Sequence, residues 1–193
     1  MGTGKQRTGK LHRDRDSRRL SNGRYKNNNG GYSLIELVIV LAIIAIIMST
    51  VFYSIILIFS ANAKSCANNI QRAIGDCKVT TMGKSAAYMK LYRNADGDVF
   101  TQMWIRDSSG TYVNSEPQKV GTRKVTLAYK PKGDTRKEFL AGDSIEIWFD
   151  RSTGGFEKDG SGNLYEIIYV EGGSKKYEIE LTELTGKSEV KAK

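Results

Sequence analysis

Gly30-Gly31-Tyr32-Ser33-Leu34-Ile35-Glu36-Leu37-Val38-Ile39-Val40-Leu41 is the stretch on which the reading of the chain turns. A glycine pair precedes an aromatic residue, and the fifth residue counted from that aromatic is a glutamate. Leu37–Phe59 then runs for 23 residues without a charge. As a helix this run is about 35 Å long, against roughly 30 Å for the hydrocarbon core of a bilayer. Its hydroxyl residues, Ser49, Thr50 and Ser54, can bond back to the helix backbone. Glu36 is the anomaly, because a carboxylate at the edge of a membrane helix costs several kcal/mol, roughly, unless it finds a partner.

On the N-terminal side the chain is basic. Residues 1–31 hold nine cations (Lys5, Arg7, Lys10, Arg13, Arg15, Arg18, Arg19, Arg24, Lys26) against Asp14 and Asp16, a net of +7 out of +9 for all 193 residues. The pI of about 9.5 therefore describes a leader, expected to be disordered or extended. The only histidine, His12, lies in that leader. Once the leader is removed, no histidine triad, metal site or pH switch remains. Two cysteines are too few for a structural zinc centre or a disulfide scaffold. No catalytic pairing, metal site or cofactor is expected, and the chain does not read as an enzyme.

On the C-terminal side the helix is expected to continue, now amphipathic. Cys66, Ile70, Ala73/Ile74 and Cys77 recur at three- and four-residue steps until about Gly83. Gly75 weakens this run by about 1 kcal/mol relative to Ala. Cys66 and Cys77 share a face about 16 Å apart along the axis, too far to bridge, and read as small apolar core residues. From about Ser85 the period changes to two. Strands are expected at Ala86–Arg93, Val99–Arg106, Lys124–Lys130, Ser144–Asp150, Leu164–Val170 and Lys175–Thr182, separated by Gly-rich turns and paired antiparallel. The tail from Lys187 to Lys193 is expected to fray. The fold class is α+β, a long N-terminal helix packed on a small antiparallel β-domain. The organisation reads as a cytoplasmic leader over 1–31, a hydrophobic helix over 32–60, its amphipathic continuation over 61–83, and a β-domain over 84–193.

The junction around Gly31 resembles the class III signal of type IV prepilins and pseudopilins over roughly residues 30–60. The resemblance implies that a prepilin peptidase cuts between Gly31 and Tyr32 and methylates the new N-terminus at Tyr32. It implies that Glu36 meets the terminal amine of a neighbouring subunit during assembly. Glycine suits the cut because no Cβ obstructs the peptidase, and the basic leader keeps the N-terminus cytoplasmic while the C-terminal domain is exported. Implied partners are the peptidase, other pilin or pseudopilin subunits, the assembly platform with its ATPase, and the membrane. The order of strands and Gly turns from Ser144 to Lys187 resembles the GspH/FimT-type minor subunits. Two features depart from the pilin pattern: neither Pro117 nor Pro131 lies in the membrane helix, and there is no C-terminal disulfide loop.

Competing readings are an ordinary secretory signal, since Ala61-Asn62-Ala63 imitates a small-x-small cleavage site, a lipoprotein at Cys66, and a plain anchor. The apolar run is too long for the first. Ala63-Lys64-Ser65 does not fit the second, and the third leaves Gly31 and Glu36 unexplained. Lys119, Arg123, Lys124, Lys130, Lys132, Arg136 and Lys137 concentrate positive charge, so an alternative function is a pilus-associated module that contacts nucleic acid or another ligand through residues 119–137. Asp96-Gly97-Asp98 and Asp159–Asn163 read as plain turns rather than calcium loops.

Overall fold

A computed structural model describes residues 31–193 apart from Lys84, with only the backbone of Tyr53. The leader expected over 1–31, Gly31 excepted, lies outside the described residues, and so does His12. The chain divides into two units, Met1–Leu41 and Ala42–Lys193. The described part of the first is Gly31–Leu41, which opens helix α1 (Leu34–Gly83). This 50-residue helix ends at the glycine expected to stop it.

Within the second unit, the outer half of α1 packs on two antiparallel sheets, so the α+β reading holds. Its buried residues, Ala63, Cys66, Ala67, Ile70, Ile74, Cys77 and Thr81, fall at three- and four-residue steps and form one stripe. The strands are β1 (Ala87–Arg93), β2 (Val99–Arg106), β3 (Tyr112–Asn114), β4 (Gln118–Gly121), β5 (Thr126–Pro131), β6 (Lys137–Glu138), β7 (Ser144–Phe149), β8 (Phe156–Glu157), β9 (Tyr165–Gly172), β10 (Lys175–Thr182) and β11 (Lys187–Ala192). One sheet runs β3-β2-β1-β7-β8 with β4 also on β2; the other runs β11-β10-β9-β5-β6. Alternate residues of both sheets, such as Met89 and Leu91 of β1 and Ile168 and Val170 of β9, join the helix stripe in one core.

The six expected strands are present with ends shifted by a residue or two. The tail is a correction. Lys187–Ala192 is β11, paired with β10 from Thr182↔Lys187 to Tyr177↔Ala192. Val190 opposite Ile179 supplies its one apolar anchor, and Gln71 on the helix donates to the Ser188 carbonyl at 2.8 Å. Its charged residues face outward, as suits an edge strand. The short strands β3, β4, β6 and β8 were not expected; two to four residues are too few to show a period.

Two close contacts join the helix to the sheets, and one arginine ties loops of the sandwich. Gly121 of β4 lies against Cys66, where an added Cβ would stand 2.6 Å from the sulfur. At the two-residue β9–β10 turn, Gly173 has φ +61°, and a Cβ there would lie 2.6 Å from the Ile56 carbonyl oxygen. Neither requirement is met by a residue with a side chain. Arg93 at the end of β1 donates to the carbonyls of Gly97 (2.8 Å), Phe139 (3.1 Å) and Val125, and so joins three loops at one end of the sandwich. Burial pushes the thiols of Cys66 and Cys77 up to about 12, so both behave as small apolar groups near neutral pH.

The outward face of the first sheet carries an aromatic cluster. Tyr88 stacks on Trp148 (centroids 4.3 Å apart) and on Trp104 (5.9 Å), and Tyr112 meets Tyr88 and Trp148 edge-on. The ring faces are turned to one another, so the cluster acts as a small satellite core. Trp148 Nε1 donates to Glu146 at 3.1 Å. After β7, Asp150 caps its own turn: Oδ1 accepts the amides of Ser152 (2.8 Å) and Thr153 (2.7 Å) and both of their hydroxyls. These donors, the Ser152 hydroxyl first, hold its carboxyl down at about 2.

Gly121→Ala is expected to lower stability by about 1–3 kcal/mol by overpacking. Combined with Cys66→Ala the loss should fall short of additive, because the sulfur that obstructs the new methyl is gone. Denaturant unfolding of the detergent-solubilised single and double variants checks this; strict additivity counts against the contact. Asp150 stabilises the fold above its unfolded pKa of about 3.9, and that contribution is lost as pH falls through about 2. Asp150→Asn should therefore lower the melting temperature at pH 7 and flatten its decline between about pH 4 and 2.

Candidate functional site

The start of α1 is built by its own side chains. The Leu37 amide donates to the Ser33 carbonyl at 3.1 Å, the first full helical bond. Ser33 Oγ accepts the Glu36 amide at 3.2 Å, and Glu36 Oε2 accepts the Ser33 amide at 3.4 Å. This is a reciprocal capping box, two amides left over at a helix start each satisfied by the other residue's side chain. The carboxylate also sits where the helix dipole favours negative charge. Sequence reasoning singled out Glu36 and passed over Ser33, although the Ser-x-x-Glu spacing before an apolar run is the local signal for this arrangement.

Gly31 and Tyr32 precede the helix outside any regular element, and Tyr32 is 85% exposed. A Cβ added to Gly31 would meet nothing within 4 Å, and its φ is not in the left-handed region. Nothing within the described structure asks for glycine here, unlike Gly121 or Gly173.

After Glu36 the apolar surface is uncovered. The best 18-residue window has a mean hydropathy of 2.9, and none of it is buried. Within the second unit, Ile43, Ile44, Ile46, Ile47, Phe52, Ile55, Leu57 and Ile58 are all exposed. Three hydroxyls of this segment bond within the helix. Ser49 donates to the Ile46 carbonyl at 2.7 Å, Thr50 to Ile47 at 2.8 Å and Ser54 to Thr50 at 3.0 Å. Such a surface suits lipid or a bundle of like helices.

The seven cations singled out in 119–137 are divided between the two sheets. Lys119 on β4 pairs with Asp98, Lys130 with Glu166 at 2.9 Å, Lys132 with Glu183, Arg136 with Glu171 at 2.9 Å, and Lys137 with Asp134 at 2.7 Å. The side chains of Arg123 and Lys124 form no salt bridge among the described residues, and the Lys124 ammonium lies over the Phe59 ring, 5.1 Å from its centroid. The two Asp-Gly segments are turns: Asp98 accepts the Arg123 amide at 3.0 Å, and Asp159 accepts the amides of Ser161 and Asn163 and the Tyr165 hydroxyl.

Residues 26–52 match the prokaryotic N-terminal methylation motif. The chain thus carries the class III signal of type IV pilins, on the junction and apolar helix just described. No curated protein and no solved structure matches the chain.

Ser33→Ala removes the hydroxyl half of the capping box and should cost the helix start about 1 kcal/mol. Amide hydrogen exchange in micelles is the measurement, with the Glu36 amide expected to exchange about fivefold faster. An unchanged rate would show the cap to be absent in solution.

Proposed function

We propose that the chain is a minor pilin or pseudopilin, a structural subunit of a type IV pilus, competence pilus or type II secretion pseudopilus. Prepilin peptidase cuts between Gly31 and Tyr32 on the cytoplasmic side and methylates Tyr32. Residues 32–60 hold the subunit in the cytoplasmic membrane with its β-domain exported. An ATPase-driven platform then lifts it into a helical bundle of like subunits. Glu36 exchanges part of its cap on Ser33 for the amine of a neighbour's Tyr32, which sets the axial step between subunits.

The observation that carries this reading is the conjunction at residues 31–58: an unhindered glycine that the fold does not require, then a lone carboxylate, then an uncharged helix whose described apolar side chains are exposed. A secretory signal or plain anchor accounts only for the third. The minor-subunit assignment draws on the pattern of the β-domain and on Cys66 and Cys77, which are free and buried on the helix and form no C-terminal loop. A nucleic-acid role for 119–137 gains no support from the geometry, since five of those seven cations already face carboxylates.

The test is co-expression with a prepilin peptidase. N-terminal sequencing should give Tyr32 as the first residue, and Gly31→Ala should leave the precursor uncut. Efficient cutting of that variant, or a mature chain that begins at Lys64, removes the assignment. Glu36→Leu should be cut normally yet be lost from sheared filaments; incorporation at wild-type levels would refute the register role of Glu36.

A further inference from the structure

The end of the β-domain nearest the apolar run is set by direct contacts. An added Cβ on Gly172 would stand 2.7 Å from the Phe59 carbonyl oxygen, and one on Gly173 would stand 2.6 Å from that of Ile56. The β9–β10 turn thus rests on the last turn of the uncharged helix, and Lys124 lies on Phe59, the final residue of that run. Register extends this level across the second sheet, because Thr126 of β5, Glu171 of β9 and Lys176 of β10 share one row. Four cations project here: Arg123 and Lys124 before β5, and Lys175 and Lys176 at the start of β10. All four are exposed. Among the described residues Lys124 and Lys175 form no salt bridge, the Arg123 guanidinium forms none although its amide donates to Asp98 and its charge acts on that carboxylate, and Lys176 reaches Glu171 only at 3.8 Å. The acidic groups at this end are largely engaged. Glu171 is held by Arg136 and Asp98 by Lys119, while Asp96 shares an open cleft with Asn62 and Arg123.

We infer that Arg123, Lys124, Lys175 and Lys176 form a collar that binds anionic phospholipid headgroups of the leaflet from which the apolar helix emerges. The inference rests on the membrane reading above, and adds to it a second, electrostatic hold at the domain itself. An uncharged run of about 35 Å fills the hydrocarbon core and brings Phe59 to its outer boundary. Side chains at that level lie among phosphates, where each Lys or Arg attracts anionic lipid over about a Debye length. The Lys124 ammonium lies over the Phe59 ring and so stands at the level where the apolar run ends and the headgroup layer begins. The collar holds the β-domain against the bilayer until extraction carries the helix, and Phe59 with it, out of the lipid.

The experiment uses the processed chain reconstituted in vesicles, with Ser174→Cys in the β9–β10 turn carrying an environment-sensitive fluorophore. Cys66 and Cys77 are buried and escape labelling. Flotation in high salt reports insertion; quenching by headgroup spin-labelled lipid reports the collar. Quenching should rise when phosphatidylglycerol replaces part of the phosphatidylcholine and fall back in about 0.5 M salt, where the Debye length shrinks to a few Å. The variant R123Q/K124Q/K175Q/K176Q should float as well as the parent but lose the lipid dependence. The surface pair K175Q/K176Q should lose part of it while keeping the near-UV circular dichroism of the parent. Flotation with no lipid dependence of quenching overturns the collar alone. So does a lipid dependence that survives in the fourfold variant, or a response to duplex DNA in neutral vesicles with none to phosphatidylglycerol. Failure to float overturns the membrane reading and the collar with it.

Discussion

Between Ala42 and Gly83 a single helix keeps its backbone hydrogen bonds internal while the surroundings its side chains require change near Ser60. Up to Ile58 the described apolar side chains are exposed; from Ala63 onward one largely apolar stripe is buried. A backbone satisfied within itself is the condition for entering lipid, and a stripe of small residues is the condition for close approach by two sheets. Cys66 against Gly121 and Ala63 against Gly172 show how close that approach is. A larger side chain at either member would drive the helix off the sandwich, since core packing leaves little slack.

Much of this was readable from residue order, for reasons that differ from element to element. The helix declares itself through continuous hydropathy and then through the step from Cys66 to Ile70, Ile74 and Cys77. Strands with four or more alternating positions declare themselves by period, as Tyr177, Ile179 and Leu181 do against Lys176, Glu178 and Glu180. The final strand hides because Val190 is its sole sizeable apolar residue, and its stability derives from Ile179 and Gln71, distant in sequence. The Ser33–Glu36 cap was legible but local. The hold of Arg93 on three carbonyls was not, because its acceptors lie in segments that only the finished fold brings together.

The basic stretch 119–137 shows what charge counting omits. Counted along the chain it is a patch of one sign; folded, Asp98, Glu166, Glu171 and Glu183 arrive from elsewhere in the sequence and interleave with it. The cations left over lie at one end of the sandwich, joined by Lys175 and Lys176 from a hairpin some fifty residues later. Surface ion pairs of this kind add little stability, about 0–1 kcal/mol each. Their larger consequence is to decide which cations stay available.

The placement of the two indoles has an optical consequence. Trp104 and Trp148 are the only tryptophans in the chain, and both belong to the satellite cluster around Tyr88. One indole nitrogen donates to Glu146, while the other is covered without a protein acceptor. Tryptophan emission, selected by excitation at the red edge, therefore samples one patch of one sheet and does not report directly on the long helix. Anything that settles on that patch in a filament would announce itself without an added dye, whereas events at the membrane end would pass in the dark.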